Sequence, residues 1–227
     1  MERVELAAGS ALVAECRFTD ASDGDFRIDA PPPALERRRR RIHPAPWTWL
    51  TQVHGANVVA VDRPGGGAGT EADASISSVV GAPLAIQTAD CAPVLLAGSG
   101  VIGAAHAGWR GLLTGVLDAT VTAMRERTDG EISAVVGPHI SAAAYEFGAA
   151  DLQTLVDAYG PSVVGVSSGG TPALDVAAAV RIALGRTGVT DVRTSGGCTG
   201  SSARWYSHRV RKDRARQTSV IWLEEPS

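Results

Sequence analysis

Aromatic residues make up only 5% of the 227-residue chain, so a core dominated by large rings is excluded. Ala, Val, Leu and Gly are plentiful, and the interior is expected to form from small aliphatic side chains packed close to backbone. No apolar run approaches the roughly 20 residues that a membrane-crossing helix needs. A basic surplus is also missing. Lys+Arg total 21 against 24 Asp+Glu, giving a net charge of -3 and a pI near 5.9, which argues against non-specific nucleic-acid binding. Three cysteines, Cys16, Cys91 and Cys198, are too few and too scattered for a disulfide framework, and their odd number leaves at least one free thiol. Met1 to Glu5 carries acids and lacks the apolar block of a secretory signal, so a cytoplasmic protein is expected. What is present, 44% hydrophobic and 20% charged residues, suits one large soluble domain and excludes a disordered or fibrous chain.

No internal repeat stands out. Pro31 to Pro33 and Pro64 to Gly69 are the strongest breakers, each short enough for a surface loop, so one domain over residues 1–227 is expected. Between them, β-rich runs recur at Leu12 to Phe18, Trp47 to Val53, Asn57 to Val61, Leu84 to Thr88, Pro93 to Ala97, Val101 to Ala105, Ile132 to Val136 and Ser219 to Leu223. Apolar spacings of three and four predict three helices. One carries Leu112 to Met124, one Leu152 to Tyr159, and one Val176 to Leu184, capped by Asp175 and stopped by Gly185. Strands separated by connections of varied length predict a mixed α/β layered sandwich rather than a regular doubly wound sheet.

Arg37 to Arg41 is a run of five arginines. At about 100° per residue, five consecutive helical positions sweep more than a full turn, so at least one must face the protein body. A cleft-facing arginine suits an anion, either a phosphate or a carboxylate. The other informative block is Thr88 to Pro93 followed by Ala104 to Gly111. Cys91 falls between two strand-like runs, and His106 sits where a strand ends before a glycine-rich turn and a helix start, with Arg110 adding positive charge. His54 likewise follows a strand-like run and precedes Gly55. Two histidines and a cysteine form a borderline-soft ligand set that suits zinc and leaves a fourth tetrahedral position open. The separations, 37 residues and then 15, match no compact metal signature. A buried structural cysteine with two ordinary histidines is the competing reading.

The words Thr51-Gln52-Val53-His54-Gly55, Thr88-Ala89-Asp90-Cys91-Ala92-Pro93, His106-Ala107-Gly108-Trp109-Arg110-Gly111 and Gly137-Pro138-His139-Ile140 resemble, in this order, the multicopper polyphenol oxidase (laccase-domain) family, also called the YfiH family. The likeness continues through Gly197-Cys198-Thr199, Tyr206 to Arg209 and Ala215 to Ser219, covering roughly residues 45 to 223. It implies an α/β/β/α layered fold, zinc held by His54, Cys91 and His106, and purine nucleoside phosphorylase activity, with adenosine deamination and methylthioadenosine phosphorolysis reported for the family. In the family register Arg39 matches the functional arginine, while Arg38 and Ile42 replace an Asn and a Leu. The family's N-terminal segment is not visible, and Phe18 to Asp25 looks like a shortened remnant. Val210 breaks the usual arginine pair after Arg209.

A true multicopper oxidase is excluded by arithmetic. Four coppers need about ten histidines, and the chain has five, His43, His54, His106, His139 and His208. Copper at a mononuclear site is read as adventitious. The expected reaction is phosphorolysis of a purine nucleoside, with Arg39 and Arg110 neutralising phosphate and Asp90 either moving a proton or holding a turn. The expected partners are purine nucleoside and phosphate, with a monomer favoured. Two rivals stay open: a cysteine hydrolase acting on muropeptide precursors, with Cys91 as nucleophile and His106 as base, and a non-catalytic relative. His139 is expected on an exposed loop and Cys198 in a buried turn. Trp47, Trp49 and Trp222 are expected in core packing.

Overall fold

Short aliphatic runs assemble into two sheets stacked face to face, with helices on both outer surfaces. The computed structural model describes residues 1–9 and 11–226. In chain order it places β1 (Glu2–Ala7), β2 (Val13–Phe18), α1 (Pro32–Ile42), β3 (Thr48–Trp49), β4 (Val58–Val61), β5 (Ala74–Ser77) and β6 (Leu84–Thr88). Then come β7 (Ala92–Gly98), β8 (Val101–Ala107), α2 (Trp109–Leu113), α3 (Val116–Arg125), β9 (Ser133–Val136) and α4 (Ala149–Tyr159). The chain closes with β10 (Val164–Val166), β11 (Pro172–Leu174), α5 (Val176–Arg186), β12 (Val192–Thr194), α6 (His208–Arg211) and β13 (Gln217–Glu224).

One sheet has the order β1-β2-β13-β6-β3 and the other β12-β9-β7-β8-β5-β4, while β10 and β11 form a separate hairpin. Both sheets are mixed: β3 runs parallel to β6, and β4 to β5 and β12 to β9 are also parallel, among antiparallel neighbours. Strands β6, β7 and β8 are buried along their whole length, because each is covered on both faces. Alternation then sorts the side chains. Leu84, Ile86, Leu95, Ile102, Ala104 and Ile221 fill the layer between the sheets. Val94, Leu96, Val101 and Ala105 turn outward to α2, α3, α4 and α5. On the opposite surface, Ala85, Val220 and Trp222 pack with Leu35 of α1, Phe26 and Trp47. The expected α/β/β/α sandwich is the observed architecture.

Several local expectations need correction. The first predicted helix is two, α2 and α3, separated at Thr114 and Gly115, where Gly115 adopts φ +84, a left-handed conformation that ends one helix and re-aims the next. Gly185 does not stop α5, which continues to Arg186 and is followed by Thr187 and Gly188. The strand expected over Trp47 to Val53 is a strand only at Thr48 and Trp49, with an isolated parallel bridge from Thr51 to Glu71 beyond it. Pro31 to Pro33 is not a plain loop: Pro32 opens α1, where a missing N–H costs nothing. His139 is buried, because its main chain pairs with Cys198 and its Nδ1–H donates to the Gly137 carbonyl at 2.8 Å. Cys198 is half-buried rather than buried. No helix among the described residues is long and apolar enough to cross a membrane.

The chain passes from one sheet to the other at the same end of the sandwich more than once. Only Ala89, Asp90 and Cys91 link β6 to β7. His54 lies on the connection from β3 to β4, which also changes sheet. Asp90 and His54 take positive φ values of +103 and +60, in the region where Asp and His are better tolerated than branched residues. These crossings gather the chemistry-bearing residues.

Candidate metal centre

His106 follows the parity of Ile102 and Ala104, so its ring points into the rim of the layer between the sheets. Its Nδ1–H donates to Asp73 Oδ1 at 2.8 Å. The same carboxylate, fully buried, accepts from the main-chain N–H groups of Val53, His54 and Gly55 at 3.1, 2.9 and 2.7 Å. Asp73 therefore shapes the turn that carries His54 and fixes the tautomer of His106, leaving its Nε2 free to act as a ligand. Burial alone would raise the Asp73 pKa, but the hydrogen bond from His106 and those from the main chain hold it below the usual carboxylate range.

The ligand atoms of His54, Cys91 and His106 all lie within 4.8 Å of one another. Cys91 Sγ and His54 Nε2 are 3.9 Å apart. Around a tetrahedral zinc ion, a sulfur at about 2.3 Å and a nitrogen at about 2.0 Å stand about 3.5 Å apart, so this pair needs a shift of a few tenths of an ångström, and the widest pair of the group, within 4.8 Å, has to close further. Gly108 borders the group. A Cβ there would sit 2.8 Å from His54 Cδ2 and 3.1 Å from Cys91 Sγ, so only glycine leaves the cradle clear. Burial would push the Cys91 thiol up, yet the charge and hydrogen bond of His106 outweigh it and hold the thiol below its ordinary value. His106 is raised in turn: burial would lower it, but the Cys91 and Asp73 charges prevail. The two titrate as one system, a thiolate stabilised beside a protonated imidazole that has to give up its Nε2 proton before a metal can bind there.

The donor group opens on a cavity of about 630 Å³, a size suited to a small-molecule ligand. Leu50, Ile28 and Ala89 give it apolar walls, and Arg27, Arg214 and Arg216 make its rim basic. Arg27 is paired with Asp25 and Asp29, and Arg216 Nη1 donates to three main-chain carbonyls. Arg214 forms no ion pair among the described residues.

The three residues singled out as metal ligands come together; the other candidates fall elsewhere. Arg39 does not line this cavity. Its guanidinium lies over the rings of Trp47 and Trp49 at 6.0 and 5.4 Å, with Nη2 buried and unpartnered. It and Arg38, whose Nη1 donates to the Asp25 carbonyl at 2.9 Å, are the body-facing members of the arginine run. Arg110 is exposed and stacks on Trp109 at 4.2 Å, also outside the cavity lining. Asp90 is buried, and its two carboxylate oxygens accept from Thr199 Oγ1 and the Arg209 N–H, each at 2.6 Å. His139 and Cys198 border a separate cavity of about 200 Å³.

Asp73 escaped the sequence reading, as did Gln87 and the basic rim residues. The available signal for Asp73 was an acid among alanines, one residue before a small-residue run; it has the parity of Ser75 and Ser77, which face the layer between the sheets.

Residues 30–224 match the family model described as multi-copper polyphenol oxidoreductase laccase. A purine nucleoside phosphorylase of Streptomyces coelicolor is 41% identical over 188 residues, covering 81% of this chain and 77% of its own. One from Pseudomonas aeruginosa is 39% identical over 210 residues, covering 87% and 84%. Among solved structures, a Neisseria meningitidis protein described as DUF152 superposes with a TM-score of 0.80 at 27% identity, covering 98% of this chain and 99% of its own. With the matched segment spanning both sheets and every residue of the donor group, this chain belongs to the multi-copper polyphenol oxidoreductase laccase (YfiH) family.

Proposed function

We propose that this chain is a zinc-dependent purine nucleoside phosphorylase of the cytoplasm, acting as a monomer on inosine, adenosine, guanosine and methylthioadenosine. One observation carries the reading: three soft donor atoms within 4.8 Å of one another at the wall of a basic-rimmed cavity. The names of the relatives supply the substrate class. Two imidazoles and a thiolate favour zinc, and copper there is adventitious. When bound, the ion supplies positive charge and Lewis acidity at the cavity wall.

The chain's own residues do the rest. A phosphate oxygen bonds to ribose C1′ as the C1′–N9 bond breaks; the bonding pair leaves with the base, which takes up a proton, giving free purine and ribose 1-phosphate. Arg214 and His208, both in the cavity lining, meet the phosphate charge. Asp73 holds the His54 turn and His106 in register, and Asp90 holds the crossing that presents Cys91. Arg39 and Arg110 are assigned phosphate-neutralising roles from sequence, which Arg39→Ala and Arg110→Ala test through the KM for phosphate. Adenosine deamination in the same cavity, in which water replaces the 6-amino group and ammonia leaves, is a side activity of this reading.

Purified protein incubated with inosine and phosphate should form ribose 1-phosphate, lose that activity on chelation and regain it with zinc. No ribose 1-phosphate from any of these nucleosides, with one zinc per chain present, sinks the reading. The depressed Cys91 thiol favours one rival, the cysteine hydrolase. A thiolate on a metal is a ligand and not a free nucleophile. Metal-free protein as purified, with Cys91 alkylated rapidly by iodoacetamide, would select that rival.

A further inference from the structure

Gln87 stands on β6 just before the crossing to Cys91 and lines the same cavity as the donor group. Its main chain is clamped at both ends. Gln52 Oε1 accepts from the Gln87 N–H at 2.9 Å, and Gln52 Nε2 donates to the Gln87 carbonyl at 2.8 Å. The Gln52 amide thus substitutes for a neighbouring strand and fixes the direction in which the Gln87 side chain leaves the sheet. The Gln87 carboxamide itself is uncommitted. The residue is 8% exposed, its Oε1 is buried without a partner, and its Nε2 makes no hydrogen bond among the described residues. Buried amide groups are normally paired, so an orphan at a cavity wall points to a ligand. Turning it toward that ligand breaks no protein hydrogen bond. Of the other long polar groups of the lining, Gln52 is engaged at both ends, Arg27 with two carboxylates and Arg216 with main-chain carbonyls, which leaves the cationic Arg214 and the exposed His208 to an anion and Gln87 as the one uncommitted amide.

We propose that Gln87 reads the six-membered edge of the purine base and lets one cavity accept both amino- and oxo-purines. The inference rests on the reading of this cavity as a purine nucleoside site. Adenine offers an N–H donor at position 6 beside the N1 acceptor, and hypoxanthine offers the O6 acceptor beside the N1–H donor. A carboxamide has one donor end and one acceptor end, and a half-turn about its last torsion exchanges them. It therefore complements both edges. A carboxylate accepts only, so it suits guanine, whose N1–H and 2-amino groups both donate, and it meets O6 of hypoxanthine with like polarity.

Gln87→Glu should shift the guanosine-to-inosine affinity ratio toward guanosine by about tenfold, and Gln87→Met, of similar volume, should weaken inosine by about tenfold. Titration calorimetry on zinc-loaded protein in phosphate-free buffer reads both, so the result is independent of turnover. Ribose 1-phosphate formation by the wild type judges the phosphorylase reading separately: nucleoside binding without turnover removes that reading and leaves the role of Gln87 standing. A wild type that binds neither nucleoside, or an unchanged ratio in a Gln87→Glu protein that melts like the wild type, overturns the proposal. If Gln87→Glu does not fold, an unchanged inosine affinity in Gln87→Met overturns it.

Discussion

Asp73 is the residue on which the donor group depends without itself being a donor. One carboxylate spans two separate stretches of chain, the His54 turn and the end of β8. Asp73→Asn keeps the shape and removes the charge, so zinc affinity should fall about 10–100-fold, measured by competition with a chromophoric chelator. Unchanged affinity would make Asp73 a purely structural acid. A second buried acid gives a pH signature. Burial pushes Asp20 up, but hydrogen bonds from Ser22, Arg204 and the N-terminal amine outweigh it and bring its pKa down to about 2. A carboxylate depressed in the folded state stabilises above its unfolded value of about 3.9, and that contribution drains away as pH falls toward the folded value. The melting-temperature gap between wild type and Asp20→Asn should therefore be full at pH 5 and close by pH 2. His54, Cys91 and His106 were legible less from spacing, which matched no compact metal signature, than from the family words that carry them at the ends of strand-like runs. Asp73 was not, because its burial depends on the parity of β5, a strand too alanine- and serine-rich to declare itself.

At the level of elements, the strongest apolar runs were legible and the weak ones were not. Strands β6, β7 and β8, sealed on both faces, read as continuous aliphatic stretches. Strand β1 alternates charge with Val4 and Leu6 at a sheet edge, and β10 to β12 are three residues each, too short for periodicity to register. The break between α2 and α3 hid because Leu112, Leu113, Val116 and Leu117 keep helical spacing across it. Gly115 has open space around its absent Cβ, with Asp118 no nearer than 3.8 Å, so its requirement is conformational and not steric. Gly115→Ala should cost about 1 kcal/mol or more through its positive φ, read as a lower denaturation midpoint with an unchanged slope. Zinc stoichiometry should stay at that of the wild type, since neither helix supplies a donor.

For the whole molecule, the donor group ties the crossing between the two sheets to the paired ends of β7 and β8. Cys91 hangs between the two sheets, His54 between β3 and β4, and His106 at the end of β8. An ion held by all three favours the folded chain over the unfolded one. At a hundred times its dissociation constant, zinc should add about 2.7 kcal/mol of stability. For a chain of this size that corresponds to a rise in melting temperature of roughly 5–10 °C, seen by calorimetry and abolished in Cys91→Ser. A shift that survives Cys91→Ser would place the stabilising ion elsewhere.

The three-residue link from β6 to β7 has a mechanical side. With so little slack, a one-residue slip of either sheet, about 3.3 Å, would be passed almost undiminished to the sulfur and would spread the donor triangle beyond bonding reach. The triangle would then work as a caliper for the sandwich: with an ion bound there, misalignment deep among the aliphatic layers would register first as loss of that ion, before the chain as a whole came apart.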